Sequence, residues 1–237
     1  MTKKRITPIK ASLIFIIFTA YFFLLLFTLL PFLKSNFSMN SAVYWFITGY
    51  FLFTPLFAYA VIMVKNEGNR GMKQIIRAFD IKPFTKKDWA YSIVGFLLVL
   101  VFTGIIFGSS FVLHRYFGMR LLATTPWFIE VQPFQGIEKL LLLIWLPMFF
   151  FNIVGEEILW RGYIQNRLES KYSWLLCALL WLLFHLPFGI DLMIMSIPAI
   201  MIIPYTFYRT HNTLVAIFIH GIYNGPIFVA IALGLIK

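Results

Sequence analysis

Charge is what this sequence lacks most. Only 12% of its 237 residues are charged, against 61% hydrophobic ones, and the mean hydropathy is +0.85. A soluble domain carries roughly a quarter of its residues as charged ones. Polar surface is too scarce here to cover a water-facing globule, which excludes a soluble domain. Acidic residues are scarcer still, 9 against 20 basic ones, leaving a net charge of +11. That excess does not point to nucleic acid as a partner, because the basic residues lie in short segments between long apolar runs. Cysteine is limited to Cys177, so no disulfide framework exists. Within its apolar stretch Cys177 reads as a small buried hydrophobe. Internal repeats, low-complexity segments and a His-Glu-x-x-His zinc helix are all missing.

What is present is a series of long apolar runs. A helix needs about 20 apolar residues to span a bilayer. Seven segments qualify: 11–33, 41–64, 89–113, 139–168, 172–189, 192–208 and 213–236. The expected fold is therefore all-α: a multi-pass protein of the cell membrane, in contact with lipid, with about seven transmembrane helices (six to eight). The 172–189 span reads as secure. The 192–208 span is short and contains Pro198 and Pro204, which suggests a broken or re-entrant segment buffered by protein. The run from Ala11 to Leu33 is too long for a signal-peptide core and no small-residue cleavage site follows it, so it reads as a retained span.

Lysine and arginine set the expected orientation. With the N-terminus in the cytoplasm and seven alternating spans, Lys34, Arg115, Arg120, Lys139 and Lys237 fall outside. The remaining basic residues fall on or toward the inside. That asymmetry predicts a cytoplasmic N-terminus. The basic loop 65–88 would also attract anionic headgroups. The stretch 114–137, with Pro126, Trp127 and Pro133, reads as an external loop with aromatic interface anchors. Two regions are expected: N-terminal transmembrane helices over 1–113, contributing hydropathy alone, and a second transmembrane region over 139–236, holding nearly all the intramembrane polarity.

Charged side chains inside a span are costly and usually face a cavity or a partner. The 139–168 span contains Asn152, Glu156, Glu157 and Arg161. Glu157 and Arg161 are four apart, share a helix face and can pair. Glu156 points about 100° away from Glu157 and is not offered the same partner, which suits it to act as a general base. Taken alone, these charges also fit a helix leaving the bilayer near Gly155. Further polar residues on other apolar helices favour a buried site: His185, then His220 with Asn224 four residues on. Counted from the cytoplasmic ends of their spans at about 1.5 Å per residue, Glu156 lies roughly 18 Å deep, His185 about 20 Å, Asn224 about 18 Å and His220 near 12 Å. His114, His211 and Asp191 read as exposed loop residues, and Asn152 either as lining the cavity or, in preference, as a partner in a helix–helix hydrogen bond.

In this order and spacing the residues resemble the CPBP family. These are membrane proteases that include type II CAAX prenyl endopeptidases and bacteriocin-processing or immunity proteins of the Abi-like group. Its first motif, two glutamates followed by three residues and an arginine, is met by Glu156, Glu157 and Arg161. Its second, an aromatic four residues before a histidine, is met by Trp181 and His185, with tryptophan where phenylalanine is usual. Its third is met by His220 and Asn224, and Tyr208-Arg209-Thr210 also looks family-like. The likeness covers about 141–235.

The resemblance implies endopeptidase activity on a membrane-associated, lipidated or apolar peptide or protein. Glu156 and His185 would polarise a water, and His220 and Asn224 would donate to the oxyanion. Glu157 and Arg161 would brace the helix, with Trp181 as the supporting aromatic. No cofactor is favoured. The alternative is a zinc enzyme with Glu156, His185 and His220 as ligands. A further alternative is an immunity or peptide-tolerance protein that binds without cleaving. A small proton-relaying transporter is disfavoured by the lack of an inverted repeat.

Overall fold

The computed structural model describes residues 3–129 and 132–235. Ile236, the end of the last predicted span, and Lys237, expected outside, lie beyond the described residues. Helix α1 (Pro8–Asn36) starts with the Thr7 side chain accepting from the Lys10 amide and Pro8 in its first turn. Its course widens over Leu25–Leu29, just before Pro31. Helix α2 (Ser41–Asn66) is capped by Asn40. A short α3 (Met72–Ala78) leads to α4 (Lys86–Phe117), where Thr85 and Asp88 cap each other's backbone. Then come α5 (Gly136–Arg167), α6 (Ser173–Phe184), α7 (Ile190–Thr210) and α8 (Thr213–Ala232).

Hydrogen bonds between connecting segments gather into two opposite ends of the bundle. At one end Lys3 reaches Asp80 at 2.8 Å and the Ile6 amide donates to the Arg167 carbonyl. There too, Lys82 donates to the His211 carbonyl and Lys87 to that of Arg209. At the other end Asn40 meets Glu138, Arg120 clasps Asp191, Trp127 donates to the Pro187 carbonyl, and the Phe134 amide to that of Ala232. Followed along the chain, these ends alternate through seven apolar segments. The first end is heavily basic; the second carries Lys34, Arg115, Arg120 and Lys139 among the described residues.

Among the described residues six helices are long and apolar enough to cross a membrane: α1, α2, α4, α5, α7 and α8. The protein is multi-pass, as its composition implies. The expectation is reversed, however, for two segments. The 192–208 run, read as short and as a candidate broken or re-entrant segment, lies within a continuous helix of 21 residues that keeps both Pro198 and Pro204 inside it. Gln165 at the end of α5 donates to the Pro204 carbonyl at 2.8 Å, which ties α7 to α5. The 172–189 run, read as secure, is the short one. α6 stops at Phe184, a tight turn covers Leu186–Phe188, and Gly189 takes a positive φ of 96°. Pro187 lacks the N–H that would continue the helical ladder.

Helix α5 passes close to the first half of the chain at two glycines. A Cβ on Gly155 would lie 3.0 Å from the Phe53 carbonyl oxygen, and one on Gly162 would lie 3.1 Å from that of Phe79. Backbone cannot yield as a flexible side chain does, and overpacking of this kind typically costs about 1–3 kcal/mol. Gly155→Val is therefore expected to lower the thermal unfolding midpoint in detergent by several degrees. Gly104→Ala on α4, with nothing within 4 Å of the added Cβ, should not lower it. Equal midpoints for the two variants would contradict this close approach.

Candidate active site

Helix α5 is regular over Leu141–Phe150. It then widens into π-type turns over Phe151–Gly155 and Ile158–Ile164, with Glu156 and Glu157 between them. Such turns replace i→i+4 backbone bonds by i→i+5 ones and often mark functional sites. They place two adjacent carboxylates in separate surroundings. Glu156 accepts from the Trp181 indole N–H at 2.7 Å and from the Asn152 amide at 3.0 Å. Asn152 thus bonds within its own helix, not to a neighbouring helix as expected. Glu157 lies 3.2 Å from Arg161 Nε through one oxygen and 2.8 Å from His220 Nδ1 through the other. The link from Glu157 to His220 has no signature in the spacing of the sequence.

Trp181 gathers the group. Its indole face carries the Arg161 guanidinium 3.6 Å from the ring centroid, a buried cation–π contact worth about 2 kcal/mol. The rings of His185 and His220 meet it edge-on at 5.1 and 5.4 Å. His185 Nδ1 lies 2.8 Å from the Trp181 carbonyl oxygen. A carbonyl only accepts, so Nδ1 carries the proton and a neutral His185 leaves Nε2 as an acceptor. By the same reasoning, an ionised Glu157 receives the Nδ1 proton of His220.

Glu156, His185, His220 and Asn224 line one cavity of about 180 Å³, with Asn152 beside them. Its wall also includes Trp45 and Phe53 from α2, a contribution that the apolar pattern of the first half did not signal. Glu157, Arg161 and Trp181 stand behind that lining and are fully buried or nearly so. Behind them Trp160 stacks on Phe15 of α1 at 3.9 Å, which fixes this stretch of α5 against the N-terminal helix.

The remaining polar residues stand apart from the cavity. His114 and His211 are exposed near helix ends, and Cys177 is buried with its thiol toward the Trp160 carbonyl. Asp191, expected to be exposed, is half-buried in the first turn of α7. There it takes both Arg120 nitrogens at 2.6 and 2.7 Å and the Ala123 amide at 2.9 Å. It anchors the loop after α4. Among the described residues no three His, Cys, Asp or Glu side chains are grouped to hold a metal ion.

A multi-pass helical membrane protein with carboxylate, imidazole and amide groups around an intramembrane cavity is what fold and site define. Residues 138–225 match the family model described as Type II CAAX prenyl endopeptidase Rce1-like. Over these residues the chain is similar to the CPBP membrane proteases. The match runs from the start of α5 to one residue past Asn224. No curated protein and no solved structure matches the chain.

Two substitutions should rank by what they leave behind. Arg161→Ala removes the guanidinium from Glu157 and leaves this buried carboxylate with His220 alone, a loss of about 3–5 kcal/mol. Trp181→Phe keeps a ring beneath the guanidinium and removes only the hydrogen bond to Glu156, about 1.5–3 kcal/mol. Unfolding in detergent micelles should show Arg161→Ala as the less stable variant; the reverse order would contradict the pairing described.

Proposed function

We propose that the protein is an intramembrane endopeptidase that hydrolyses a peptide bond of a membrane-associated, lipidated or apolar peptide with a water activated by Glu156 and His185. The observation that carries this reading is that Glu156, His185, His220 and Asn224, from three separate helical segments, line a single cavity. The match to a protease family over the same residues supports it.

In this mechanism Glu156 is the general base. Its two hydrogen bonds from Trp181 and Asn152 hold the carboxylate in place without supplying a cation to neutralise it. The water gives its proton to Glu156, with His185 Nε2 accepting its second hydrogen bond, and the hydroxide attacks the scissile carbonyl carbon. The oxyanion receives hydrogen bonds from the Asn224 amide and from Nε2 of His220 in its imidazolium form, balanced by Glu157. Fixed donors of this sort are most effective where water is scarce. Collapse of the tetrahedral intermediate breaks the C–N bond, and Glu156 returns its proton to the departing amine. The products are a carboxylate and an amine. Arg161 and Glu157 do not touch the substrate; they brace the turn that presents Glu156.

Purified protein in lipid nanodiscs, given a peptide library, tests the assignment. Glu156→Gln should lower kcat by at least about 100-fold, as loss of a general base does, without loss of the folded state. Asn224→Ala should cost about 100–1,000-fold, as loss of one oxyanion donor does. Wild-type and Glu156→Gln proteins with the same cleavage pattern would refute the protease reading. A chelator should leave activity unchanged; loss that zinc restores would replace this mechanism with a metal-dependent one.

A further inference from the structure

Away from the active site, the basic end of the bundle holds a recess of about 590 Å³. Two stretches of chain build it. Residues 3–6 lie against the segment that follows α5, where Ile6 forms a parallel bridge with Leu168. The Ile6 amide donates to the Arg167 carbonyl at 2.8 Å, and the Glu169 amide donates to that of Ile6 at 3.1 Å. Ile6 is itself buried, so apolar packing adds to these hydrogen bonds in holding the clasp together.

The recess gathers cations, and they are unequally occupied. Lys3 is held by Asp80 at 2.8 Å, and the buried Arg167 by Glu67 at 2.9 Å. Arg5 approaches Glu169 only at 3.8 Å and its side chain is 79% exposed, so that pair is weak. Lys171 lies 4.9 Å from the centre of the Tyr172 ring, and no carboxylate among the described residues pairs with it. Between these two, Ser170 accepts from the Tyr172 amide at 3.1 Å, which leaves its hydroxyl proton to donate. Asn166 uses one amide N–H on the Gly162 carbonyl and keeps a second. Two loosely held cations beside uncommitted donors suit a phosphate group. The surroundings favour a phosphate carried by a lipid. Tyr172, next to Lys171, is an exposed aromatic of the kind that sits among headgroups. Just beyond Ile6, α1 exposes Ile9, Leu13 and Ile16 along one face, a surface for acyl chains.

We propose that this recess binds the headgroup phosphate of an anionic phospholipid, with Arg5 and Lys171 as its cations and Ser170 and Asn166 donating to its oxygens. One cation comes from each side of the clasp, so an occupied recess ties the N-terminal residues to the segment after α5. The lipid tails run along the exposed face of α1. Diffuse attraction of basic segments to an anionic surface makes little distinction among the lysines and arginines of this end, whereas a built recess does. The site is independent of the protease reading and is measured without cleavage.

The full chain in phosphatidylcholine nanodiscs, with graded fractions of phosphatidylglycerol, tests the site. A lipid that binds the folded state raises the thermal unfolding midpoint, and the fraction giving half the rise measures its affinity. Arg5→Gln with Lys171→Gln should increase that fraction about 30-fold, at about fivefold for each cation lost. Lys73→Gln with Lys86→Gln removes the same charge from exposed positions at the same end, outside the recess. It should shift the fraction by less than about fivefold. The charge-conserving pair Arg5→Lys with Lys171→Arg should respond as the wild type does, which separates lost binding from a damaged clasp. Equal shifts for the two glutamine pairs would reduce the effect to surface charge and overturn the site. A wild-type midpoint indifferent to phosphatidylglycerol, or a charge-conserving pair that loses the response, would overturn it as well. Glycerol 1-phosphate added to phosphatidylcholine discs should leave the midpoint unchanged; a rise equal to that given by the lipid would assign the recess to a soluble phosphate instead.

Discussion

The indole of Trp181 reaches nearly every polar residue of the site at once. Its N–H holds Glu156, its face lies beneath the Arg161 guanidinium, its edges meet His185 and His220, and its backbone carbonyl fixes the His185 ring. An apolar bundle has few ways to hold charged groups, because each must find a partner within the protein or be expelled to the interface. Here one residue offers a hydrogen-bond donor, a π face and a carbonyl to three different side chains. Phenylalanine in the same place would supply the face and the carbonyl but not the donor.

The two glutamates are separated by this arrangement. Glu157 sits between a guanidinium and an imidazole, so its charge is matched within the bundle. Glu156 has neutral donors only and borders the cavity. Two adjacent residues on a regular helix would already diverge in direction; the π-type turns on either side add local irregularity where α5 crosses α2 and the loop before α4. The close approaches at Gly155 and Gly162 anchor the same stretch. The chemistry proposed for Glu156 thus relies on backbone packing well outside the cavity.

Much of this was legible in the sequence. Apolar runs and basic segments predicted the bundle and its alternating ends. The spacing of Glu156, Glu157, Arg161, Trp181, His185, His220 and Asn224 singled out the residues that the structure brings into one neighbourhood. What spacing did not convey was pairing across helices. Nothing in the sequence links Glu157 to His220, and Trp181 as a hydrogen-bond donor was hidden behind its reading as the supporting aromatic. Length alone misjudged α6 and α7. Apolar composition continues through Leu186–Phe188, whereas the helix there does not. The prolines of α7 stay within one continuous helix, and Gln165 ties it to α5 at the Pro204 carbonyl, a link visible only in three dimensions. Trp45 and Phe53 were likewise indistinguishable from other lipid-facing or core aromatics until the bundle placed them at the cavity wall.

The shared dependence on Trp181 also bears on how such a chain can diverge. A change at any one of Glu156, Arg161, His185 or His220 alters what the indole contacts, so these positions are constrained to drift together or not at all. Helices α1, α2 and α4 mostly supply apolar surface of suitable shape, and many sequences meet that demand. Recognisable ancestry would then persist longest between the start of α5 and the end of the His220–Asn224 turn, where the Rce1-like match lies, and fade first in the helices that surround it.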